Sequence, residues 1–237
     1  MLSSRDISLH ERWTAFFSTP ARNRALRLFV FSIGVYGIAF AIAMARTAQL
    51  GTSCIAAIPN VLSYVFAPIT IGQFQILMNL AMVLGQVALN RSWRHPVEFW
   101  QMIPATIFGM LVDFNVWLLA GLPMEGYLMQ WGWCALSIVI LGLAVSLELL
   151  ADSVMMPGEG IVLSIAMVSR KPFPRCKVAF DVSCIVVAAA ISLAALGGLV
   201  GVREGTVATA IFTGPIVKVW NRVLQPAKRW IPAKPQV

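Results

Sequence analysis

Long apolar runs alternate with short polar or basic stretches along almost the whole chain. A helix needs roughly 20 mostly apolar residues to cross the hydrocarbon core of a bilayer. Ala25–Ala45, Gly72–Asn90, Tyr127–Leu150 and Cys176–Val200 meet that length, and Val97–Ala120 and Gly205–Trp220 complete a set of six. The alternating ten-residue segments of a membrane β-barrel do not occur in this sequence. Helices, which satisfy their own backbone groups in lipid, are therefore the expected elements.

Two shorter apolar segments, Gly51–Ala67 and Gly158–Ser169, decide the topology. The first is interrupted by Pro59-Asn60 and ends at Ala67-Pro68; the second runs into Lys171-Pro-Phe-Pro174. About 12 apolar residues give about 18 Å of helix, short of a core about 30 Å thick. The expected fold is an all-α polytopic bundle of six spans plus two re-entrant segments, with eight spans as the alternative. Residues 1–24 read as a cytoplasmic or interfacial segment, 25–222 as the transmembrane domain and 223–237 as a cytoplasmic tail.

Composition agrees with this picture. Of 237 residues, 59% are hydrophobic and 12% charged, and the mean hydropathy is +0.79; soluble domains carry about 25% charge. The net charge of +8 could suggest a nucleic-acid partner, but its placement does not. Basic residues gather before Leu28, around Ser92, in Ser169–Lys177 and after Ile216, leaving only Arg46 and Arg203 elsewhere. Cytoplasmic loops carry the Lys/Arg excess, so those four regions and both termini are assigned to the cytoplasm, and Gly121–Gly126, with Glu125 and no basic residue, to the outside. Trp93, Trp100, Trp220 and Trp230 then sit at the inner interface and Trp117, Trp131 and Trp133 at the outer one. Within Ile7–Leu28, Trp13, Phe16, Phe17 and Leu26 lie among basic residues, the pattern of an interfacial helix on anionic lipid. Ala43-Met-Ala45 resembles a signal cleavage site, but a span-length apolar run behind a long polar leader argues against cleavage.

The halves share a pattern at a shift of about 104–107 residues: repeat 1 spans about 25–120 and repeat 2 about 127–222. Leu50-Gly-Thr-Ser53 aligns with Pro157-Gly-Glu-Gly160, and Ala105-Thr-Ile-Phe108 with Val116-Trp117 aligns with Ala208-Thr-Ala-Ile-Phe212 with Val219-Trp220. Three crossings in each half would make the repeats inverted, an arrangement that points to a transport site between broken helices.

Ionisable groups within the apolar segments are costly, and they suggest a pathway by default. The candidates are Arg46, Thr52, Asp113, Glu148, Asp152, Glu159, Asp181, Arg203 and Glu204. Pairings such as Arg46 with Glu148, or Arg203 with Asp113 or Glu159, would relieve their desolvation. The bland alternative is that these are ion pairs fixing helix packing. Glu98, Glu125, Asp6 and Glu11 read as solvated loop residues. Gly51, Gly158, Gly160, Gly201, Gly205 and Gly214 allow close backbone approach, for packing or for a ligand. Cys54, Cys134, Cys176 and Cys184 stand singly, and His10 and His95 are the only histidines, so no metal site and no cofactor is expected.

Leu50-Gly-Thr-Ser53 with Ile58-Pro59, Met156-Pro-Gly-Glu-Gly160, Lys177-Val-Ala-Phe-Asp-Val182, Gly201-Val-Arg-Glu-Gly-Thr206 and Gly214-Pro-Ile-Val217 together resemble the YczE/YyaS/YitT-like family of bacterial membrane proteins. The resemblance covers about Arg27 to Trp220. It departs at Cys54, where proline is the commoner residue. It implies a multi-pass protein of the bacterial inner membrane, of undefined biochemical role and sometimes considered a transporter. The leading expectation is a small-solute transporter or exporter, with protons as the expected coupling ion and a homo-oligomer open to it. The alternative is a non-transporting scaffold or accessory subunit. No HExxH, GxSxG or P-loop motif supports an enzyme.

Overall fold

A computed structural model describes residues 21–91, 97–153 and 155–226. Eight helices make up the described residues: α1 (Ala21–Thr47), α2 (Ala57–Val65), α3 (Ile71–Asn90), α4 (Met102–Leu119, entered through the 3₁₀ turn Val97–Gln101), α5 (Tyr127–Ala151), α6 (Pro157–Ser169), α7 (Phe173–Leu196) and α8 (Glu204–Val223). No strand occurs among them, only a bridge between Gly51 and Val202. Of the expected interfacial helix Ile7–Leu28, residues 7–20 lie outside the described residues, as do Ser92, Trp93, Trp230 and the tail from Ala227 onward, while residues 21–28 are the first turns of α1.

Local chemistry sets the helix ends. Thr70 and Gln73 form a capping box at the start of α3. Prolines in the first turns of α6 and α7 supply the backbone angle of a helix start, where a missing N–H costs nothing. The helices match the spans read from the sequence within a few residues. Five stretches, Asn23–Thr47, Ile71–Asn90, Glu98–Leu119, Tyr127–Ala151 and Phe173–Leu196, are long and apolar enough to cross a membrane. By length and composition this is a multi-pass membrane protein. Its bundle surface agrees: Leu128, Trp117, Phe29, Met110 and Val178 are all exposed, an extent of apolar surface that water does not support. α8 has span length too, but it carries Glu204, Lys218 and Arg222 and is not among the five.

α1 packs chiefly on two neighbours, α5 and α4. It runs antiparallel to α5: Arg27 meets Ala151, Gly34 and Gly37 meet Glu148 and Ala144, and Ala48 and Leu50 share a cluster with Cys134 and Ile138. α4 lies alongside α1 in the same direction, with Leu119 packed on Ala43 and Met44. α8 runs parallel to α5, with Gly205 at Cys134 and Ile216 at Gly142. We call the end holding the start of α1 the near end and the opposite end the far end.

The two short helices do not cross this bundle. From the far end of α1 the chain runs inward without helix to Ile55, which reaches Gly158 and Met82 at the middle of α3. α2 then climbs back beside α7, so that Asn60 meets Gly201 and Arg46 at the far end. From the near end of α5 the chain likewise runs inward to Pro157, and α6 returns beside α3 and α7 to place Ser169 at Cys176. Nine residues of α2 span about 13 Å, which weighs against the eight-span alternative.

One expectation about the repeats changes. Gly51 and Gly158, aligned in the sequence, do different work. Gly51 sits in the extended bridge, six residues before α2 begins, whereas Gly158 lies in the first turn of α6. The two short helices begin at Ala57 and Pro157. Partners also differ between halves: α3 packs closely on α4, while α7 and α8 barely touch.

Candidate functional site

The middle of the bundle is built by the starts of α2 and α6. Their N-cap residues, Ala56 and Met156, offer no side-chain cap. A Cβ on Gly158 would lie 3.0 Å from Ile55 Cδ1, so the two broken segments touch. Around this point α3 turns one polar stripe inward: Gln75, Asn79 and Gln86, all buried and spaced at helical intervals. Gln86 and Gln101 exchange amide hydrogen bonds, with Gln101 Nε2 donating at 3.0 Å and Gln86 Nε2 at 3.4 Å. Gln86 Nε2 also donates to the Pro157 carbonyl at 3.1 Å, tying α3 to the start of α6. Farther out along that stripe, Gln75 Oε1 and Asn79 Nδ2 are buried without a hydrogen-bond partner. Unpaired buried polar atoms cost about 1–3 kcal/mol each, and a stable membrane bundle holding several of them invites a ligand or water.

The nine sequence candidates do not converge on one cavity. Glu148 and Glu159 come together: Glu148 is buried on α5 against Gly34, Glu159 stands in the first turn of α6, and the two carboxylates interact electrostatically. Asp113 instead caps α3 across a helix seam, accepting from Thr70 Oγ1 at 2.6 Å and from the Gly72 N–H at 2.8 Å. Asp152 ends α5 and lies 3.8 Å from Arg27, whose Nη1 donates to the Ala151 carbonyl at 2.8 Å. Asp181 pairs with Lys177 one turn away at 2.6 Å. Arg203 pairs with its neighbour Glu204 at 3.3 Å on the exposed far rim. Arg46 meets Asn60, Ser63 and Tyr64. Thr52 is fully buried with its hydroxyl unpartnered, as is Thr206 across the Gly51 bridge.

None of the pairings of Arg46 with Glu148, or Arg203 with Asp113 or Glu159, forms an ion pair: Arg203 pairs with Glu204, Asp113 accepts from Thr70 and Arg46 donates to Asn60. Glu98 also departs from its expected place: it is buried, not solvated, and accepts from Asn90 Nδ2 at 3.1 Å where α3 meets the 3₁₀ turn. Among the described residues no group of His, Cys, Asp and Glu is placed to hold a metal ion.

A family model, described as a family of unknown function (DUF6198), matches residues 25–222. The chain belongs to this family. No curated protein and no solved structure matches it. The family match runs from the second turn of α1 to within one residue of the end of α8 and lends no substrate to the site. What sequence reading missed in this family member is mostly neutral: Gln75, Asn79, Gln86 and Gln101 form the inner polar face, and Asn60 organises the far end. The signal available was the spacing of Gln75, Asn79 and Gln86, four and seven residues apart inside an apolar span.

Proposed function

We propose that the chain moves a small polar solute across the bacterial inner membrane, through six spans and two re-entrant segments arranged as inverted repeats, with both termini in the cytoplasm. The observation that carries this reading is the contact of two half-length helix starts, Ile55 against Gly158, in an apolar bundle where α3 also buries the unpartnered Gln75 Oε1 and Asn79 Nδ2. Broken helices meeting near the midplane supply backbone dipoles for a solute, and rocking of the halves alternates its exposure. The motif resemblance to YczE/YyaS/YitT-like proteins supports the same placement. Glu148 and Glu159 are the coupling groups of this scheme. They are the two carboxylates that the fold brings together, one on α5 and one in the first turn of α6, and this scheme assigns the proton to them. No enzymatic step is assigned to the chain.

Proteoliposomes containing a pH-sensitive dye, challenged with a panel of small polar solutes, should show solute-dependent proton entry. Glu148→Gln and Glu159→Gln should each abolish that entry while the protein stays folded. Proton entry unchanged in both variants would remove the carboxylates from the route. For the topology, all four native cysteines are buried, so an added thiol gives a clean reading. Arg91→Cys should react with an impermeant reagent only from the cytoplasm, and reaction from the periplasm would replace the inverted halves by eight spans.

A non-transporting scaffold is the second reading, favoured by the local pairing of Arg27 with Asp152, Lys177 with Asp181 and Arg203 with Glu204. It predicts no flux for any solute, and a protein that co-purifies from the membrane.

A further inference from the structure

The far end of the bundle holds one arginine whose surroundings do not balance its charge. Arg46 stands in the last turn of α1 and donates through Nη1 to Asn60 Oδ1 and to Ser63 Oγ at 2.7 Å, both on α2. Its guanidinium carbon lies 4.5 Å from the centroid of the Tyr64 ring. The acceptors are themselves fixed: Asn60 Nδ2 donates to the Gly201 carbonyl at 2.8 Å, and the Ser63 hydroxyl donates to the Asn60 carbonyl at 2.7 Å. One nitrogen of the guanidinium, Nη1, is thus clamped and one face is stacked. Both restraints hold the fork at a single angle.

Among the described residues no carboxylate lies within ion-pairing distance of Arg46. Asp113 is near enough to attract it, but both of its oxygens are engaged by Thr70 and Gly72. Arg203, close by on the loop after Gly201, already has Glu204. Among the described residues the Nε and Nη2 groups of Arg46 find no acceptor, and they are not sealed in the interior. A guanidinium is charged at any accessible pH and presents paired N–H groups matched to a carboxylate or phosphate. We propose that the free edge of Arg46, held by Asn60, Ser63 and Tyr64, is a binding site for an oxyanion, a carboxylate or a phosphate. The occupant comes from either of two sources, a free solute or the phosphate of a phospholipid. If it is a free solute, it names the class of cargo for the route proposed above, and only that clause rests on the transport reading.

The test needs no transport. Protein stripped of lipid in a phosphate-free maltoside detergent is heated in chloride, acetate, sulfate or inorganic phosphate at constant ionic strength, and separately with added phosphatidylglycerol. Phosphate or acetate should raise the thermal midpoint of the wild type above its value in chloride. Arg46→Gln should weaken the apparent affinity about tenfold or more, because charge-assisted paired hydrogen bonds are lost. Arg46→Lys, which keeps the charge but not the fork, should fall between. A response to phosphatidylglycerol alone, lost in Arg46→Gln, assigns the site to the lipid headgroup. Should Arg46→Gln fail to fold, Ser63→Asp decides the matter. A carboxylate at Ser63 supplies the missing counter-charge from within, so the anion response should vanish while the fold persists. Equal anion responses in the wild type and in Ser63→Asp or Arg46→Gln, or no response in the wild type to any of these anions or to the lipid, would overturn the proposal. Solute-driven proton entry that fails while anion binding holds would remove the transport reading and leave this site standing.

Discussion

Gly51→Ala should lower the thermal midpoint of the solubilised protein by roughly 5–15 °C, taking about 2–4 °C per kcal/mol for a chain of this size. The loss has two independent sources. Gly51 holds φ at +105°, a backbone region that a side chain enters at a cost of about 1–3 kcal/mol. A Cβ there would also lie 2.1 Å from Thr206 Oγ1 and 3.0 Å from the Arg203 nitrogen, and overpacking of a tight seam costs about 1–3 kcal/mol more. The seam joins distant parts of the chain: Gly51 bridges to Val202, and the Gly205 N–H donates to the Leu50 carbonyl at 2.9 Å. Opening it detaches the start of α8 from the end of α1 and from the first broken segment. Thr206→Ala separates the two sources. The Thr206 hydroxyl has no partner to lose, so this change alone should be mild, and combined with Gly51→Ala it should recover only part of the stability. A Gly51→Ala protein melting with the wild type would mean that the seam does not hold the far end together.

The long elements were legible because length and apolarity are sufficient to define a span. The sequence expectation Gly72–Asn90 became α3 at Ile71–Asn90, and Tyr127–Leu150 became α5 at Tyr127–Ala151. The short segments were also legible as short, since Pro59 and the Pro157 start leave little room for a crossing helix. Partners were not. Asp113 looked like an intramembrane charge awaiting a solute, yet it serves a helix cap whose Thr70 and Gly72 lie more than forty residues earlier in the chain. Arg46 and Arg203 stood out as breaking the charge bias, but which one keeps a free edge depends on Glu204 being next to Arg203 and on α2 folding back against Arg46. Gly51 and Gly158 matched by position in a repeat while their backbones differ, because local sequence similarity does not fix where a helix begins. Neutral amides escaped notice for a related reason: Gln75 and Asn79 gain meaning only once burial leaves them unpaired.

At the seam between α3 and α4, Gly72→Ala should be as damaging as Gly51→Ala, and it also decides what Asp113 does. A Cβ on Gly72 would come 2.1 Å from the Gly109 carbonyl oxygen and 2.5 Å from the Asp113 carboxylate. The first obstacle is backbone, so the helices must separate, and separation breaks the bonds from Thr70 and the Gly72 N–H to Asp113. Asp113→Ala removes the carboxylate but not the carbonyl and leaves the buried Gly72 N–H without its acceptor, a cost of about 1–3 kcal/mol. The double variant should therefore be no more stable than Gly72→Ala alone; a clear rescue would show that the side chain, not the backbone, was the obstacle. Asp113→Asn separates cap from pathway. An amide still accepts one of the two hydrogen bonds, so a cap is weakened by about 1–2 kcal/mol, and any flux falls only as far as the folded fraction falls, returning on cooling. A residue that carries solute or proton would instead lose flux in Asp113→Asn with the folded fraction unchanged. The two short bonds to the start of α3 predict the first result, and the second would return Asp113 to the site with Glu148 and Glu159.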